Sequence, residues 1–311
     1  MATHERILVI GAAGMLGHEL MDILSPAWEL TGVDIGEVDI TDREGTEAYI
    51  RELRPHAVVN AAARTDVDGC EGDPDGAFAV NAQGAGYVAA ACRAACARMI
   101  YLSTDYVFDG RAKKPYREDA ATNPQSAYGK SKLAGEQAVR RGLDDYIIVR
   151  TSWLFGLHGK NFVDTILRAA ARQPVLEVVG DQRGCPTYAR DLAKAIGSLL
   201  MTDCRGIVNV TNSGVCSWCE YARAILELGG ISGVRVNEIT SERLSRPAPR
   251  PPFSALDGSR YAGLTGAPMR QWREAVGEYM KKGTGYFFTS DKDQKERKNH
   301  SLTQMKSTTD A

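Results

Sequence analysis

The chain has 311 residues, of which 43% are hydrophobic and 25% charged, with a formal net charge of −1, a composition that suits one large domain or two closely joined ones. The charge balance excludes a global basic field for nucleic acid or an anionic membrane surface, and no apolar run reaches the roughly 18 residues needed to span a bilayer. The seven cysteines are odd in number and scattered, so they do not read as a disulfide framework, and reduced thiols point to a cytoplasmic protein.

The opening segment, "MATHERILVIGAAGMLG", has too little positive charge ahead of its apolar run for a secretory signal, and glycines interrupt it. Residues 6–11 read instead as a first strand ending in glycine, and 15–24 as a helix. A second strand is predicted over 28–34. Thr41 and Glu44 have the spacing of a capping box that opens a helix to about Arg54. A third strand follows over 56–63. Asp73 and Pro74 read as an N-cap with proline at the first helical position, and that helix runs to about Ala97. A fourth strand spans 98–104; a loop and a helix around "SAYGKSKLAGE" (126–136) precede a fifth strand over 145–153. Strands alternating with helices of this length predict an α/β fold over residues 1–152: a Rossmann-like, doubly wound parallel sheet with helices on both faces.

After Trp153 the pattern loosens, and residues 153–282 are expected to form mainly a smaller, interleaved substrate-binding lobe. Two segments, near 174–180 and 205–212, look like strands that rejoin the sheet. "CSWC" (216–219) lacks the partners of a metal or redox site; Ser217 and Glu220 make a better capping box. Residues 283–311 form a polar tail, almost free of apolar side chains from about Thr289, so disorder is predicted there.

Gly11, Gly14 and Gly17 in "GAAGMLG" lie between the first strand and the first helix. In that context the first glycine permits the turn, the second admits a pyrophosphate, and the third lets helix pack on strand. The start of the helix at Gly14, Met15, Leu16 and Gly17 offers free N–H groups to phosphates. Asp34 ends the second strand roughly twenty residues on, where a carboxylate accepts hydrogen bonds from an adenosine ribose. It would repel a 2′-phosphate and no arginine follows it directly, so NADH is weakly favoured over NADPH. Asp39 and Ile40 are placed to cover the adenine, although Asp39 also suits the start of a helix.

Tyr128 precedes Lys132 by one helical turn, so the two share a helix face. An ammonium beside a phenol lowers its pKa from about 10. A tyrosine tuned this way donates a proton to a carbonyl oxygen while hydride reaches the carbon. Thr104, at the end of the fourth strand, can hold the same oxygen.

"GAAGMLG", "VVNAAARTDVD", "STDYVFDG", "YGKSKLAGE", "RTSWLFG", "DQRGCPT" and "RPAPRPPFSALD" occur in this order. Over about residues 6–282 the chain thereby resembles the dTDP-4-dehydrorhamnose reductase family of the extended short-chain dehydrogenases. The resemblance implies hydride transfer from NADPH or NADH to C4 of dTDP-4-dehydro-6-deoxy-L-mannose, giving dTDP-L-rhamnose for surface polysaccharide. It assigns Tyr128 as acid, Lys132 to tune it and bind the nicotinamide ribose, and Thr104 to orient substrate. Ala62, Ala63 and Thr65 would line the cofactor; Asp105, Tyr106, Trp153 and Asn161 would face the sugar nucleotide. Trp153 also suits a core between lobes. Arg183 and Arg250 are candidates for phosphate contact, or simply solvated.

Two departures stand out. Extra proline and arginine separate Arg246-Pro247 from Ser254. Where relatives are described as pairing through magnesium, Glu19 fits but Arg190 replaces a carboxylate, so no metal is predicted. Two other readings remain open: an NADP-binding regulatory subunit like that of methionine adenosyltransferase, and a 4-ketoreductase or epimerase for another nucleotide sugar. A monomer or a homodimer is expected.

Overall fold

The computed structural model describes residues 5–282, so the predicted polar tail lies outside the described residues. β1 (Arg6–Ile10) leads into α1 (Met15–Leu24), β2 (Glu29–Val33) into α2 (Arg43–Leu53), and β3 (Ala57–Asn60) into the short α3 (Val67–Gly72). One helical run then comprises α4 (Pro74–Phe78), a π-helical turn over Ala79–Gly84, and α5 (Ala85–Ala94). β4 (Arg98–Thr104), α6 (Ala127–Gly142) and β5 (Tyr146–Thr151) complete the first half. The second half holds β6 (Leu154–Phe155), α7 (Phe162–Ala170), β7 (Val175–Val179), β8 (Arg183–Gly184), β9 (Thr187–Tyr188) and α8 (Ala189–Leu200). β10 (Gly206–Asn209), β11 (Cys216–Ser217), α9 (Trp218–Leu228), β12 (Arg235–Ile239) and α10 (Ser259–Thr265) follow, and a last helix covers 272–282.

The central sheet has six parallel strands in the order β10-β5-β4-β3-β1-β2. The chain reverses its direction of winding between β1 and β3, and a crevice opens there at the strands' carboxyl ends. Strand residues alternate between two cores, as a period of two demands. Ile7, Val9, Val59, Ile100 and Val149 pack with Leu20 of α1 and Ile196 of α8. Leu8, Ile10, Val58, Met99 and Ile148 pack with Ile50 of α2, Val88 of α5 and Val139 of α6. Both faces are therefore covered by helices, which explains the nearly continuous apolar strands. A third core joins α7, β7, α9 and the 272–282 helix around Phe155, Tyr221, Trp272 and Tyr279.

Two sequence expectations need correction. The segment near 205–212 does meet the sheet, through β10 on the edge of β5. The segment near 174–180 does not: β7 pairs in parallel with β12 as a separate two-stranded sheet. An apolar strand pattern states that a face is buried without stating against which partner. Helix α2 is capped by Asp42, whose side chain accepts from the Gly45 amide, and not by Thr41, whose hydroxyl donates to Asp39. The carboxylate one residue on won the capping position. The Ser217–Glu220 capping box is formed as read.

Candidate active site

The glycine turn is shaped by backbone crowding. Gly11 sits at φ +84, and a Cβ there would stand 2.8 Å from the Ala62 amide nitrogen. A Cβ on Gly17 would meet the Gly11 carbonyl at 2.2 Å, so strand, turn and helix approach as closely as glycine allows. Gly14 caps α1 without a side-chain bond, which leaves the first amides of the helix free for an anion.

Two cavities meet at this turn. One, of about 480 Å³, is lined by Asp34, Ile35, Asp39, Ile40, Ala62 and Arg64 together with Gly11 and Gly14. The other, of about 550 Å³, runs from Met15, Leu16 and Gly17 past Ala63 and Thr65 to Thr104, Asp105, Tyr106, Tyr128, Lys132 and Trp153. Glycine cradle, open amides and flanking cavities suit a dinucleotide. A larger hollow of about 810 Å³ opens beside β10, lined by Arg117, Glu118, Arg140 and Arg260 among others; it contains neither the glycine turn nor Tyr128.

The reactive side chains come from two elements. β4 ends in Ser103 and Thr104, both buried, and its next residues turn in a 3-10 helix over Asp105–Val107. Thr104 caps that turn by accepting from the Tyr106 amide at 3.2 Å and donating to Asp105 Oδ1 at 3.0 Å. Helix α6 begins at Ser126, whose hydroxyl accepts from the Gly129 amide at 3.1 Å, a cap that brings Tyr128 and Lys132 onto the cleft side. A Cβ on Gly129 would stand 2.3 Å from the Tyr106 carbonyl, so the helix docks directly on the 3-10 turn. The rings of Tyr106 and Tyr128 meet edge to face, their centroids 5.8 Å apart.

The charges differ from the sequence expectation. Burial pushes the Tyr128 phenol above its ordinary range, with the Thr104 hydroxyl pulling the other way, so the free protein keeps it protonated. The predicted lowering by Lys132 is not what the structure shows. The Lys132 ammonium lies over the Tyr101 ring, 4.2 Å from its centroid, and burial brings its pKa down to about 7 although Glu136 supports the charge. Desolvation of both groups outweighs their proximity.

Behind Lys132, Glu136 and Arg150 form a fully buried pair: Glu136 Oε1 accepts from Arg150 Nε at 2.8 Å and from the Ser103 hydroxyl at 2.6 Å, and Oε2 from Arg150 Nη2 at 2.7 Å. Asn81, in the π-helical turn, accepts from the Arg64 amide, and donates to the Arg64 carbonyl and to Ser131 of α6. It ties the loop after β3 to the helix of Tyr128. Neither network was legible in the sequence, because the partners lie far apart in the chain.

Other predicted site residues divide. Asp34 lines the 480 Å³ cavity, with Oδ2 accepting from the Ala13 amide and Oδ1 from the Ile35 amide, so it also closes the turn. Asp39 accepts from both the amide and the hydroxyl of Thr41, the helix-start role weighed against the adenine. Trp153 lines the cleft and stacks on Trp218, centroids 3.5 Å apart and planes 7° apart. Its φ of +46 is a strained value for an aromatic residue, sustained by that stack. Trp218 is the cleft residue that "CSWC" concealed.

Three of the candidate residues are engaged by the protein itself. Asn161 does not face the cleft: it caps α7 by accepting from the Asp164 amide, and its amide donates to the Gly156 carbonyl and the Tyr279 hydroxyl. Arg183 pairs with Glu220. Arg250 pairs bidentately with Asp68, both bonds at 2.6 Å, and holds the Asp68 carboxyl down at about 2. Each cation has a carboxylate partner within the protein. Arg190 pairs with Glu19 and Asp22, and among the described residues no cluster of metal-ligating side chains occurs.

The family model described as RmlD substrate binding domain matches residues 5–284. A dTDP-4-dehydrorhamnose reductase of Streptomyces griseus is 44% identical over 280 residues, covering 88% of this chain and 92% of that protein. A dTDP-4-keto-6-deoxy-D-glucose reductase of Streptomyces niveus is 41% identical over 276 residues, covering 88% and 95%. The crystal structure of dTDP-4-dehydrorhamnose reductase from Bacillus anthracis, in complex with NADP, matches with a TM-score of 0.86 at 37% identity, covering 90% of this chain and 99% of that one.

Proposed function

This chain belongs to the RmlD substrate-binding-domain family of dTDP-4-dehydrorhamnose reductases, and from that premise we propose the following reading of its site. The protein is a nicotinamide-dependent oxidoreductase that reduces the C4 keto group of dTDP-4-dehydro-6-deoxy-L-mannose to dTDP-L-rhamnose, a precursor of surface polysaccharide. The observation that carries the reading is the convergence of Thr104, Tyr128 and Lys132 in one cleft that continues into the glycine cradle. The reduced nicotinamide supplies hydride when bound. Gly11, Gly14, Met15, Leu16 and Gly17 hold its pyrophosphate, and Ala62, Ala63 and Thr65 line its path. Lys132, buried in the cleft wall with its ammonium over an aromatic ring, binds the nicotinamide ribose. Tyr128, kept protonated by burial, donates its proton to the C4 oxygen as Thr104 holds that oxygen in place. Trp153, Tyr106 and Asp105 form the wall the sugar meets. Residues 1–152, with β10, form the cofactor unit, and the third core carries the substrate side.

Seven unpaired cysteines suit a reducing, cytoplasmic compartment, and among the described residues no helix is long and apolar enough to cross a membrane. A monomer or homodimer fits this reading.

The test is oxidation of NADH and NADPH in turn with dTDP-4-dehydro-L-rhamnose generated in place, with identification of the product. dTDP-L-rhamnose is the expected product. Turnover only with a 4-keto-6-deoxy-D-glucose nucleotide would move the assignment to the specificity named for the Streptomyces niveus relative.

Asp34 supports a preference for NADH, because its carboxylate faces the position of the ribose hydroxyls and repels a 2′-phosphate. Asp34→Ala is expected to narrow the ratio of kcat/KM for NADH over NADPH by on the order of tenfold, the value of one charged contact. Since Asp34 also closes the glycine turn through Ala13, affinity for both cofactors falls, and the ratio is the informative quantity. An unchanged ratio would remove Asp34 from the ribose.

A further inference from the structure

We propose that Asp68 and Arg250 form a clasp that positions the sugar side of the cleft, by fastening a proline-rich strap of the substrate lobe to α3; the proposal rests on the reductase reading above.

The strap covers residues 246–253. Pro247, Pro249, Pro251 and Pro252 fix its φ angles and leave it few amides to bond with. Its far end is joined to β8: the Arg183 amide donates to the Pro252 carbonyl at 2.9 Å, and the Ser254 amide donates to the Arg183 carbonyl at 2.8 Å. Its near end is held by Asp68. Oδ1 accepts from the Ala248 amide at 3.1 Å and from Arg250 Nη1 at 2.6 Å, and Oδ2 accepts from Arg250 Nη2 at 2.6 Å. Arg250 Nη1 also donates to the Ala248 carbonyl at 2.7 Å, so the side chain braces the strap's own backbone. The arginine side chain is 10% exposed and the aspartate 37%. A forked, partly desolvated pair of this kind fixes direction as well as distance. The Asp68 carboxyl, held down at about 2, stays charged at every pH at which the protein would be assayed.

The clasp joins segments that border the cleft without lining it itself. α3 opens at Val67, which lines the cleft with Thr65. Arg250 lies beside Tyr106, another residue of that wall. Leu244 and Arg246, where the strap begins, line a hollow of about 290 Å³ that shares Trp218 with the cleft. One fastening therefore sets the spacing of α3, the turn of Tyr106 and the substrate lobe. The helix of Tyr128 has supports of its own: the Ser126 cap, and Glu71 of α3, whose Oε1 accepts from the Ala127 amide at 2.6 Å. Releasing the clasp loosens the wall that meets the sugar and leaves Tyr128 and the glycine cradle in place. The loss falls on KM for the sugar nucleotide, not on the chemical step, and Asp68 and Arg250 are positioning residues.

The experiment is steady-state kinetics of the cofactor-saturated protein with the 4-keto-6-deoxy sugar nucleotide generated in place, for the wild type, Asp68→Ala, Arg250→Met, Arg250→Lys and the double variant of Asp68→Ala with Arg250→Met. Asp68→Ala and Arg250→Met should each raise KM for the sugar nucleotide about tenfold, the order of loss that follows a misplaced binding wall, with kcat within about threefold and cofactor Kd within about twofold of wild type. Arg250→Lys keeps the cation but loses the fork, so its KM should fall between; it carries the test if a harsher variant fails to fold. Since the two side chains act as one fastening, the double variant should be no more than about threefold worse than the poorer single. Losses that multiply, or a sugar-nucleotide KM at the wild-type value in both single variants, would overturn the proposal. So would a loss confined to kcat, or an equal loss of cofactor affinity, which would make the pair a general support of the fold. Deuterium exchange of the strap amides gives a reading that needs no turnover. If the wild type reduces none of the 4-keto sugars, the functional reading fails and exchange decides for the clasp: an Ala248 amide protected in the wild type and released in Asp68→Ala supports it, and an unprotected one in the wild type refutes it.

Discussion

Replacing Tyr128 with phenylalanine is expected to lower turnover by about 10²–10⁴ while leaving fold and cofactor affinity intact, the loss that follows removal of a positioned general acid. The ring itself has structural work that phenylalanine preserves. It packs on Cys70, Ala77 and Ala127 and meets Tyr106 edge to face. Only the hydroxyl is lost, and with it the proton that must reach the C4 oxygen as hydride arrives. Burial keeps that hydroxyl protonated, the state a reductase needs. The measurement is the single-turnover rate of nicotinamide oxidation, with circular dichroism and cofactor binding as controls. Turnover within a few-fold of wild type, from folded variant protein, would dismiss Tyr128 as the acid.

The largest effect on stability is expected at Glu136. Glu136→Ala should destabilise the protein by about 3–5 kcal/mol, the penalty for leaving one member of a buried pair without its partner. The corresponding fall in Tm is on the order of ten degrees or less for a chain of this size. Both side chains are 2% exposed. Without Glu136, Arg150 retains the Glu118 carbonyl at 3.2 Å and the Phe108 ring at 5.0 Å, neither of which neutralises it. Ser103 loses its acceptor as well. The double variant Glu136→Ala with Arg150→Met should recover much of the loss, because it removes the orphaned charge. Glu136 also supports the Lys132 ammonium, so the single variant should move deprotonation of Lys132 to lower pH. Denaturant titration of the three proteins decides: a single-variant loss below about 1 kcal/mol would mean that water or a neighbour already neutralises Arg150.

Much of the fold was legible because its signals are local. The β1–α1 turn announces itself by three glycines after an apolar strand, and crowding at Gly11 and Gly17 is the reason. The pair Tyr128 and Lys132 shares a helix face by spacing, and its place after the fourth strand of a dinucleotide fold marks it as a site. The destination of β7 did not follow, since an apolar strand of five residues pairs equally well with β10's neighbour or with β12. Asn161 and Arg250 were open to more than one role for a related cause. An amide can cap a helix or bind a ligand, and an arginine can meet Asp68 or a phosphate; which it does depends on what lies within reach.

The alternation of strand and helix, the glycine cradle, the tyrosine–lysine pair and the family they belong to are legible along the chain, because periodicity, turns and motifs are written in neighbouring residues. The electrostatics came from the folded arrangement. It brought Asp68 to Arg250 and Glu136 to Arg150, placed Lys132 over Tyr101, and buried Asp105 with one oxygen bare. A charge's energy depends on the water removed from it and on the partner brought to it, and both are set by segments distant in the chain.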